Sequence, residues 1–145
     1  MSSRVFVDTN VWVYAVDDGA PEKQQRARAV LAPEAGSNIV LSAQVLGEFY
    51  VTVRRRFADA VSEAEAAALV DRMRRLAVVP IDAELVSAAI AGSSAWRISY
   101  WDALIVAAAT SAGCNVLLSE DLAHGAMYGS VRVENPFEAS QASQG

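Results

Sequence analysis

Short apolar runs recur along the chain and alternate with longer stretches in which apolar residues return every three or four positions. The short runs are rich in β-branched residues, which is typical of strands that are buried on both faces. We predict strands at residues 4–7, 38–41, 116–118 and 131–133, and a short extended piece at 78–81.

Helices are predicted between these strands because capping residues stand immediately before several of the periodic stretches. Ser42, Asp82 and Ser99 are suited to N-cap a helix, and Ser62 with Glu65 forms a capping box. The predicted helices, with their caps, cover about residues 11–15, 21–31, 42–57, 62–76, 82–91 and 99–112, the last stopped by Gly113. The connecting segments include a break at 33–36, an irregular stretch at 92–98 and a polar tail at 141–145.

The alternation of strands and helices predicts an α/β fold, a three-layer α/β/α arrangement around a short, open parallel sheet. The length of 145 residues favours one domain, which we place at residues 1–140. Open parallel sheets bind ligands beyond the carboxyl ends of their strands, where the strand order reverses. Asp8, Ser42 and the segment 119–121 each follow a predicted strand at such an end.

Composition narrows the possible functions. The chain is 53% apolar and 20% charged, which indicates a folded domain and excludes a disordered one. The net charge of −5 argues against a broad nucleic-acid-binding surface, although not against a local basic patch. Cys114 is the only cysteine, so neither a disulfide framework nor a cysteine zinc site is expected. We expect no signal peptide, no membrane span and a cytoplasmic location, because the longest apolar run, 103–109, is short.

Four acidic residues lie in or beside apolar runs, namely Asp8, Glu48, Asp102 and Asp121. An ionised carboxylate in such surroundings costs several kcal/mol, to an order of magnitude, unless a partner compensates it. Lysine is scarce, with Lys23 alone in the chain. A hard divalent cation bound by oxygen atoms would compensate the four together. This pattern indicates metal-assisted chemistry on phosphate.

Each acidic residue also has an ordinary structural interpretation. Asp8 could N-cap the next helix, Glu48 could be a solvated helix residue, Asp102 could complete a cap, and Asp121 could belong to a polar strand-end loop. The set is more informative than its members, because a single α/β sheet would bring all four together.

The chemistry of such a cluster follows from its charges. Carboxylates that lie close together raise one another's pKa, and a bound Mg²⁺ or Mn²⁺ would keep them ionised. The cation would also lower the pKa of a coordinated water that can attack a phosphodiester. Neither a Ser, a Cys nor a His nucleophile is required, and His124 is expected to be a packing or surface residue.

Five motifs, in this order along nearly the whole chain, resemble those of PIN-domain ribonucleases. They are Val-Asp-Thr-Asn at 7–10, the segment 42–49 that ends near Glu48, and the segments 99–105, 118–122 and 133–137. The compact length resembles the VapC-type toxins of type II toxin–antitoxin modules.

This resemblance implies a metal-dependent endoribonuclease with a PIN-like fold, which hydrolyses RNA to 5′-phosphate and 3′-hydroxyl ends. It also implies a homodimer, a cognate antitoxin that silences it, and no membrane partner. Carried over by motif, the catalytic residues are Asp8, Glu48, Asp102 and Asp121, the ligands of Mg²⁺ (or Mn²⁺) are Asp8, Asp102 and Asp121, and the supporting residues are Asn10 and Ser119. Glu120 is the only further acid beside the fourth motif, and we rank it below Asp121.

Basic residues form three groups that could hold RNA against a negatively charged protein. The groups are 54–56, then Arg72 with 74–75, and Lys23 with Arg26 and Arg28. A solvated helix face or a favourable charge at a helix C-terminus explains part of each group equally well. Arg97 is the cation that we expect nearest to the metal site.

Other functional classes fit the pattern less well. A phosphatase with an aspartyl nucleophile and a phospho-receiver domain both share acids at strand ends, but both need a lysine late in the chain. The sole lysine, Lys23, lies early. A flap-nuclease relative would need more chain for its DNA-binding elements. A binding module of α/β fold without nuclease activity remains the alternative if the acids do not converge.

Overall fold

The computed structural model describes residues 3–33 and 38–138. The predicted tail, the domain boundary at residue 140 and most of the predicted break at 33–36 lie outside these residues. Within them the chain forms six strands and six helices, in the order β1 (Arg4–Val7), α1 (Thr9–Tyr14), α2 (Pro21–Leu31), β2 (Asn38–Ser42), α3 (Ala43–Arg56), α4 (Glu63–Met73), β3 (Ala77–Val79), α5 (Ala83–Trp96), α6 (Tyr100–Ser111), β4 (Val116–Leu118), β5 (Met127–Tyr128) and β6 (Val131–Glu134).

The six strands form one mixed sheet in the order β3-β2-β1-β4-β6-β5. All neighbours are parallel except β5 and β6. The chain leaves β1 towards β2 and β3, and it later places β4 on the opposite side of β1. The strand order therefore reverses between β1 and β4, which is where open sheets of this kind bind ligands.

Both faces of the sheet are covered, so the predicted three-layer α/β architecture is confirmed. Side chains alternate between the two faces of β1, since successive strand residues point in opposite directions. Val5 and Val7 pack in a small core with Val11 of α1 and Ala27 of α2. Phe6 packs in the larger core, which α3, α4, α5 and α6 cover.

The predicted helix caps are present in the structure. The side chains of Ser42, Asp82 and Ser99 each accept a hydrogen bond from a backbone N–H in the first turn of their helices. Ser62 and Glu65 form the reciprocal capping box at the start of α4. These local hydrogen bonds explain why the starts of four helices follow from the sequence alone.

Helix α6 is the central helix of the larger core. Residues 103–109 are all buried, as their uninterrupted apolar sequence predicts, and α6 contacts α5, β2, β4 and β6. The predicted left-handed Gly113 follows the helix with φ of 74°. Asp102 therefore stands in the first turn of a helix whose position is fixed by packing on several sides.

Two predicted helix ends were wrong, and one short strand was not predicted. Helix α5 does not end near residue 91 but continues to Trp96, because the Trp96 ring packs across the position where Gly92 lacks a side chain. Helix α4 ends at Met73 and not near residue 76. The two-residue strand β5 was not predicted, since it is defined only by its antiparallel pairing with β6. No helix of the described residues is long and apolar enough to cross a membrane.

The close contact at Gly92 leads to a stability prediction. A Cβ at this position would lie 2.6 Å from Cζ3 of Trp96, so the indole must move. We expect Gly92→Ala to lower the free energy of unfolding by about 1 kcal/mol, since overpacking costs about 1–3 kcal/mol and helix propensity returns about 1 kcal/mol. Urea unfolding measures the change.

Gly47→Ala is the matched control. Gly47 is also a helical glycine, but nothing lies within 4 Å of its hypothetical Cβ. This variant should therefore gain roughly 0.5–1 kcal/mol from helix propensity alone. A Gly92→Ala protein as stable as Gly47→Ala would show that Trp96 does not constrain the helix.

Candidate active site

The site begins where β1 and β4 end side by side. Asp8 follows β1, and its backbone N–H continues the ladder by donating to the Leu118 carbonyl at 3.0 Å. The Asp8 carboxylate is buried and accepts two hydrogen bonds, one from the Thr9 backbone N–H to Oδ1 at 2.7 Å and one from the Ser119 hydroxyl to Oδ2 at 2.7 Å. Both oxygens of Asp8 are therefore held in fixed directions.

Asp121 is tied to the same serine. Its backbone N–H donates to Ser119 Oγ at 3.1 Å, while its side chain is exposed. Asn10 supports this loop from the opposite side, because its Oδ1 accepts from the Glu120 backbone N–H at 3.2 Å. Ser119 and Asn10 thus fix the loop that carries Asp121 relative to Asp8.

Glu48 reaches the site from α3. Thr9 donates its hydroxyl to Glu48 Oε1 at 2.8 Å, and Gln44 donates its amide to Glu48 Oε2 at 3.3 Å. Since Thr9 directly follows Asp8, one short segment contacts the side chains of both acids. The Glu48 carboxylate is exposed but has a donor on each oxygen.

Asp102 approaches from the first turn of α6, where it is partly buried. Its backbone N–H donates to the Ser99 hydroxyl at 3.0 Å, so the cap is made by Ser99. Burial raises the pKa of the Asp102 carboxyl, and a side-chain hydrogen bond with Ser99 lowers it.

The electrostatics of the site connect all four acids. Burial is the main cause that raises the pKa of Asp8 to about 7. The hydrogen bonds from Ser119 and Thr9 lower this pKa, and the carboxylates of Asp121 and Glu48 contribute to raising it. Burial also raises the pKa of Asp102, and the same two carboxylates contribute in the same direction. Each of Asp8 and Asp102 therefore feels the charge of both Asp121 and Glu48.

The donor set suits a hard divalent cation. It consists of oxygen ligands only, and a cation would offset both the burial of the Asp8 charge and its repulsion by Asp121 and Glu48. Among the residues at 3–33 and 38–138, no three Asp, Glu, His or Cys side chains already stand in an arrangement for one ion. Mutual repulsion of the carboxylates favours such separation when no cation is bound.

An open cavity of about 710 Å³ lies over the acidic cluster. Glu48 and Asp121 line it, whereas Asp8 is buried beneath and Asp102 is not part of the lining. Arg55 and Arg56 line the same cavity from the last turn of α3. The cavity is therefore lined by both carboxylates and guanidinium groups.

Several basic residues, including one of the two arginines that line the cavity, already pair with other groups. Arg56 lies 3.5 Å from Asp17, and Arg74 and Arg75 both pair with Asp71. Arg26 and Arg28 donate to backbone carbonyl oxygens. Arg97 ends α5 in the left-handed region with φ of 54° and is exposed, and its predicted proximity to the metal stays a prediction. His124 accepts a hydrogen bond from the Asn135 backbone, which is a packing role.

Glu120 is engaged by a separate cluster. Lys23 of α2 lies 2.5 Å from one of its oxygens, and the Tyr14 hydroxyl donates to the other at 3.0 Å. Lys23 also lies 4.6 Å from the centre of the Tyr14 ring. This partnership neutralises Glu120 and holds its carboxylate towards α2.

Sequence reasoning missed Gln44 and the Lys23–Tyr14–Glu120 cluster. Nothing in the local sequence separates Gln44 from an ordinary helix residue, because its contacts with Glu48 and with the Trp101 carbonyl arise only in the folded chain. The scarcity of lysine was the one signal that could have directed attention to Lys23.

A family model described as the PIN domain matches residues 5–129. The chain belongs to the PIN-domain family. The match spans β1 to β5 and thus includes all four acidic residues.

Solved structures with the same fold are numerous. VapC20 from Mycobacterium tuberculosis is 21% identical, with 78% of this chain and 86% of that chain covered and a TM-score of 0.60. VapBC2 from Rickettsia felis, bound to a promoter DNA fragment, is 17% identical, with coverage of 91% and 98% and a TM-score of 0.63. A toxin–antitoxin complex from Klebsiella pneumoniae is 16% identical, with coverage of 91% and 97% and a TM-score of 0.67. No curated protein sequence matches. At these identities the likeness establishes the PIN fold.

The raised pKa of Asp8 predicts that this PIN domain loses stability as the pH rises when divalent cations are removed. The folded state keeps the Asp8 proton up to about pH 7, whereas an unfolded chain releases it near 3.8. The contribution of Asp8 to stability is therefore fully present below pH 3.8 and is lost progressively as the pH rises to about 7, by roughly 4 kcal/mol in total. Asp8→Asn should abolish this loss, so in EDTA at pH 8 the variant should be the more stable protein.

Urea unfolding at pH 4.5 and pH 8 in EDTA measures the effect, with Asp59→Asn as the control at an exposed aspartate. Saturating Mg²⁺ at pH 8 should restore part of the stability of the natural chain, because a cation that binds only the folded state stabilises it. An Asp8→Asn protein that responds to pH as the natural chain does would contradict the assignment of this slope to Asp8.

Proposed function

We propose that this PIN domain is a metal-dependent endoribonuclease that acts in the cytoplasm as the toxin of a toxin–antitoxin pair. The observation that carries the proposal is that, after burial, the charges of Asp121 and Glu48 both contribute to the raised pKa of Asp8 and of Asp102, beside the point where the strand order reverses. Burying a carboxylate beside other carboxylates lowers the stability of the fold. Such unfavourable arrangements are typical of functional sites, and a bound cation would offset the repulsion.

The residues divide the work by their positions. Asp8, Asp102 and Asp121 would hold Mg²⁺ or Mn²⁺, and Glu48 would act from the exposed side of the cluster. Ser119 and Asn10 would keep the Asp8 carboxylate and the loop before Asp121 in place through the bonds described above. When bound, the cation would lower the pKa of a coordinated water, which makes it a better nucleophile towards phosphorus, and would neutralise charge on the phosphate oxygens.

The two arginines that line the cavity support an RNA substrate. Arg55 and Arg56 line it together with Glu48 and Asp121, so a negative backbone can be held by guanidinium groups while one phosphate meets the acidic cluster. Tyr14 and Val51 in the same lining offer apolar surface to a base. VapC20, which has the same fold, is described as a toxin that cleaves the sarcin–ricin loop.

The toxin–antitoxin assignment is supported by the solved relatives. Several are complexes of this kind, including VapBC2 and the Klebsiella pneumoniae complex. A basic side chain from an antitoxin would suit the carboxylates of the cavity, where it would compete with metal and substrate. Homodimerisation would cover part of the exposed apolar surface, which includes Ile90 and Trp101.

The phospho-receiver alternative loses its remaining support in the fold. Such a domain needs a lysine at a strand end, and Lys23 lies on α2, where it pairs with Glu120.

The purified protein should cleave single-stranded RNA with Mg²⁺ or Mn²⁺ and should stop on addition of EDTA. Asp8→Asn and Asp102→Asn should each reduce the rate by at least about a hundredfold, because the amide keeps the shape but removes the charge that holds a cation. Product ends and rates are measured by gel electrophoresis of a labelled RNA. Asp59→Asn, at an exposed site, should cleave at the natural rate.

Undiminished cleavage in EDTA, or by either charge-removing variant, would refute the metal mechanism. A protein that binds Mn²⁺ but cleaves no RNA would instead leave the metal site standing and remove the proposed substrate class.

A cognate antitoxin, encoded beside this chain, should suppress RNA cleavage when the two are co-expressed. Excess Mg²⁺ should reverse the suppression only in part, because a cation competes for the acidic cluster but not for the apolar contacts. Light scattering should give a homodimer of the isolated chain. A co-purified neighbour that leaves cleavage unchanged would remove the inhibitory role, and a monomer at high concentration would remove the dimer.

A further inference from the structure

Gln44 is a buried polar residue in the first turn of α3, with 9% of its surface exposed. Val45 and Phe49 of the same helix are also buried, so Gln44 is a polar residue on a helix that packs against the larger core. A buried amide needs partners for two N–H groups and for its oxygen, so its contacts indicate why it is there.

The amide nitrogen of Gln44 connects two elements of the acidic site. It donates to Glu48 Oε2 at 3.3 Å and to the Trp101 carbonyl at 3.2 Å. Trp101 immediately precedes Asp102 in the first turn of α6. A single side chain therefore links the Glu48 carboxylate on α3 to the backbone that carries Asp102.

The hydrogen bond to Glu48 is one of a pair. Thr9 donates to Glu48 Oε1 from the start of α1, and Gln44 donates to Oε2 from within α3. Donors on both oxygens restrict the rotation of the carboxylate, which an exposed glutamate would otherwise be free to make. The orientation of Glu48 thus depends on Thr9, which directly follows Asp8, and on Gln44, which also donates to the backbone just before Asp102.

The oxygen of Gln44 gives an independent indication. Gln44 Oε1 is buried and accepts no hydrogen bond within the described residues. A buried acceptor without a partner opposes folding, and an apolar side chain of the same length would fill the space without that cost. The oxygen therefore gives no reason for a glutamine here. The two bonds donated by the amide nitrogen, to Glu48 and to the Trp101 carbonyl, are what distinguish it from an apolar side chain.

We propose that Gln44 is a positioning residue that sets the orientation of Glu48 and its separation from Asp102, and thereby the affinity of the acidic cluster for a divalent cation. This inference rests on the proposed metal-dependent function. Gln44 would act on the proposed ligand Asp102 through the Trp101 carbonyl, and on the charge beside the cation through Glu48. Partners that hold an acidic ligand without touching the cation commonly change metal affinity by about 10–100-fold.

Gln44→Met tests the proposal, because methionine keeps the length and removes the donor. The readouts are Mn²⁺ affinity by titration without RNA, thermal unfolding in EDTA, and kcat and KM for a short RNA at saturating Mn²⁺. We expect Mn²⁺ to bind about tenfold more weakly and kcat to fall, with KM for RNA unchanged. The midpoint of unfolding should stay within roughly 4 °C of the natural chain.

Gln24→Met is the matched control. Gln24 donates to the exposed Asp18 and does not line the cavity. Its replacement should leave Mn²⁺ affinity and kcat unchanged. Gln44→Asn serves as a second variant, since its shorter side chain cannot span Glu48 and Trp101 together. It should weaken Mn²⁺ binding in the same direction as Gln44→Met.

Two results would overturn the inference. One is Mn²⁺ affinity within twofold of the natural chain in both Gln44 variants, and the other is a Gln44→Met protein that fails to fold in EDTA, which would make the residue structural. If the natural chain itself binds no Mn²⁺, the proposed function fails first. Normal binding by the natural chain and by both variants would remove the Gln44 inference alone.

Discussion

Asp8 accepts hydrogen bonds from Thr9 and Ser119, yet its carboxylate remains costly to ionise because the sheet buries it beside Asp121 and Glu48. The rest of the site is organised around this cost. Ser119 serves two partners, since it donates to Asp8 and accepts from the backbone of Asp121. A cation recruited to the cluster would relieve the same repulsion that weakens the fold, so stability and ligand binding are linked through one side chain.

Helix α3 carries both signs of charge that the cavity presents. Glu48 stands near its middle and Arg55 in its last turn, about 10 Å apart along the axis at 1.5 Å per residue. Because a helix is rigid over this length, the separation between the acidic cluster and the guanidinium group does not depend on loops. The arrangement would hold a polyanion at a fixed distance from the acids.

Most of the fold could be predicted from the sequence because its signals are local. Caps such as Ser42 and Ser62 act on their own first turn, and the apolar stretch 103–109 has no polar side chain to contradict burial. The end of α5 could not be predicted in this way, because Gly92 resembles a helix stop until the ring of Trp96 is seen to pack over it. The four acids could be proposed from the sequence, but the residues that contact them could not. A charge beside an apolar run is visible in sequence, whereas the hydrogen bond from Gln44 to the Trp101 carbonyl joins residues far apart in the chain.

The sheet ends on both sides in very short strands, three residues in β3 and two in β5. A short edge offers few free backbone N–H and C=O groups, so it is a poor template for a strand from another molecule. Any partner of this chain would therefore have to associate through helices and side chains, without extending the sheet. The same feature protects a protein with an apolar, largely parallel interior from edge-to-edge aggregation.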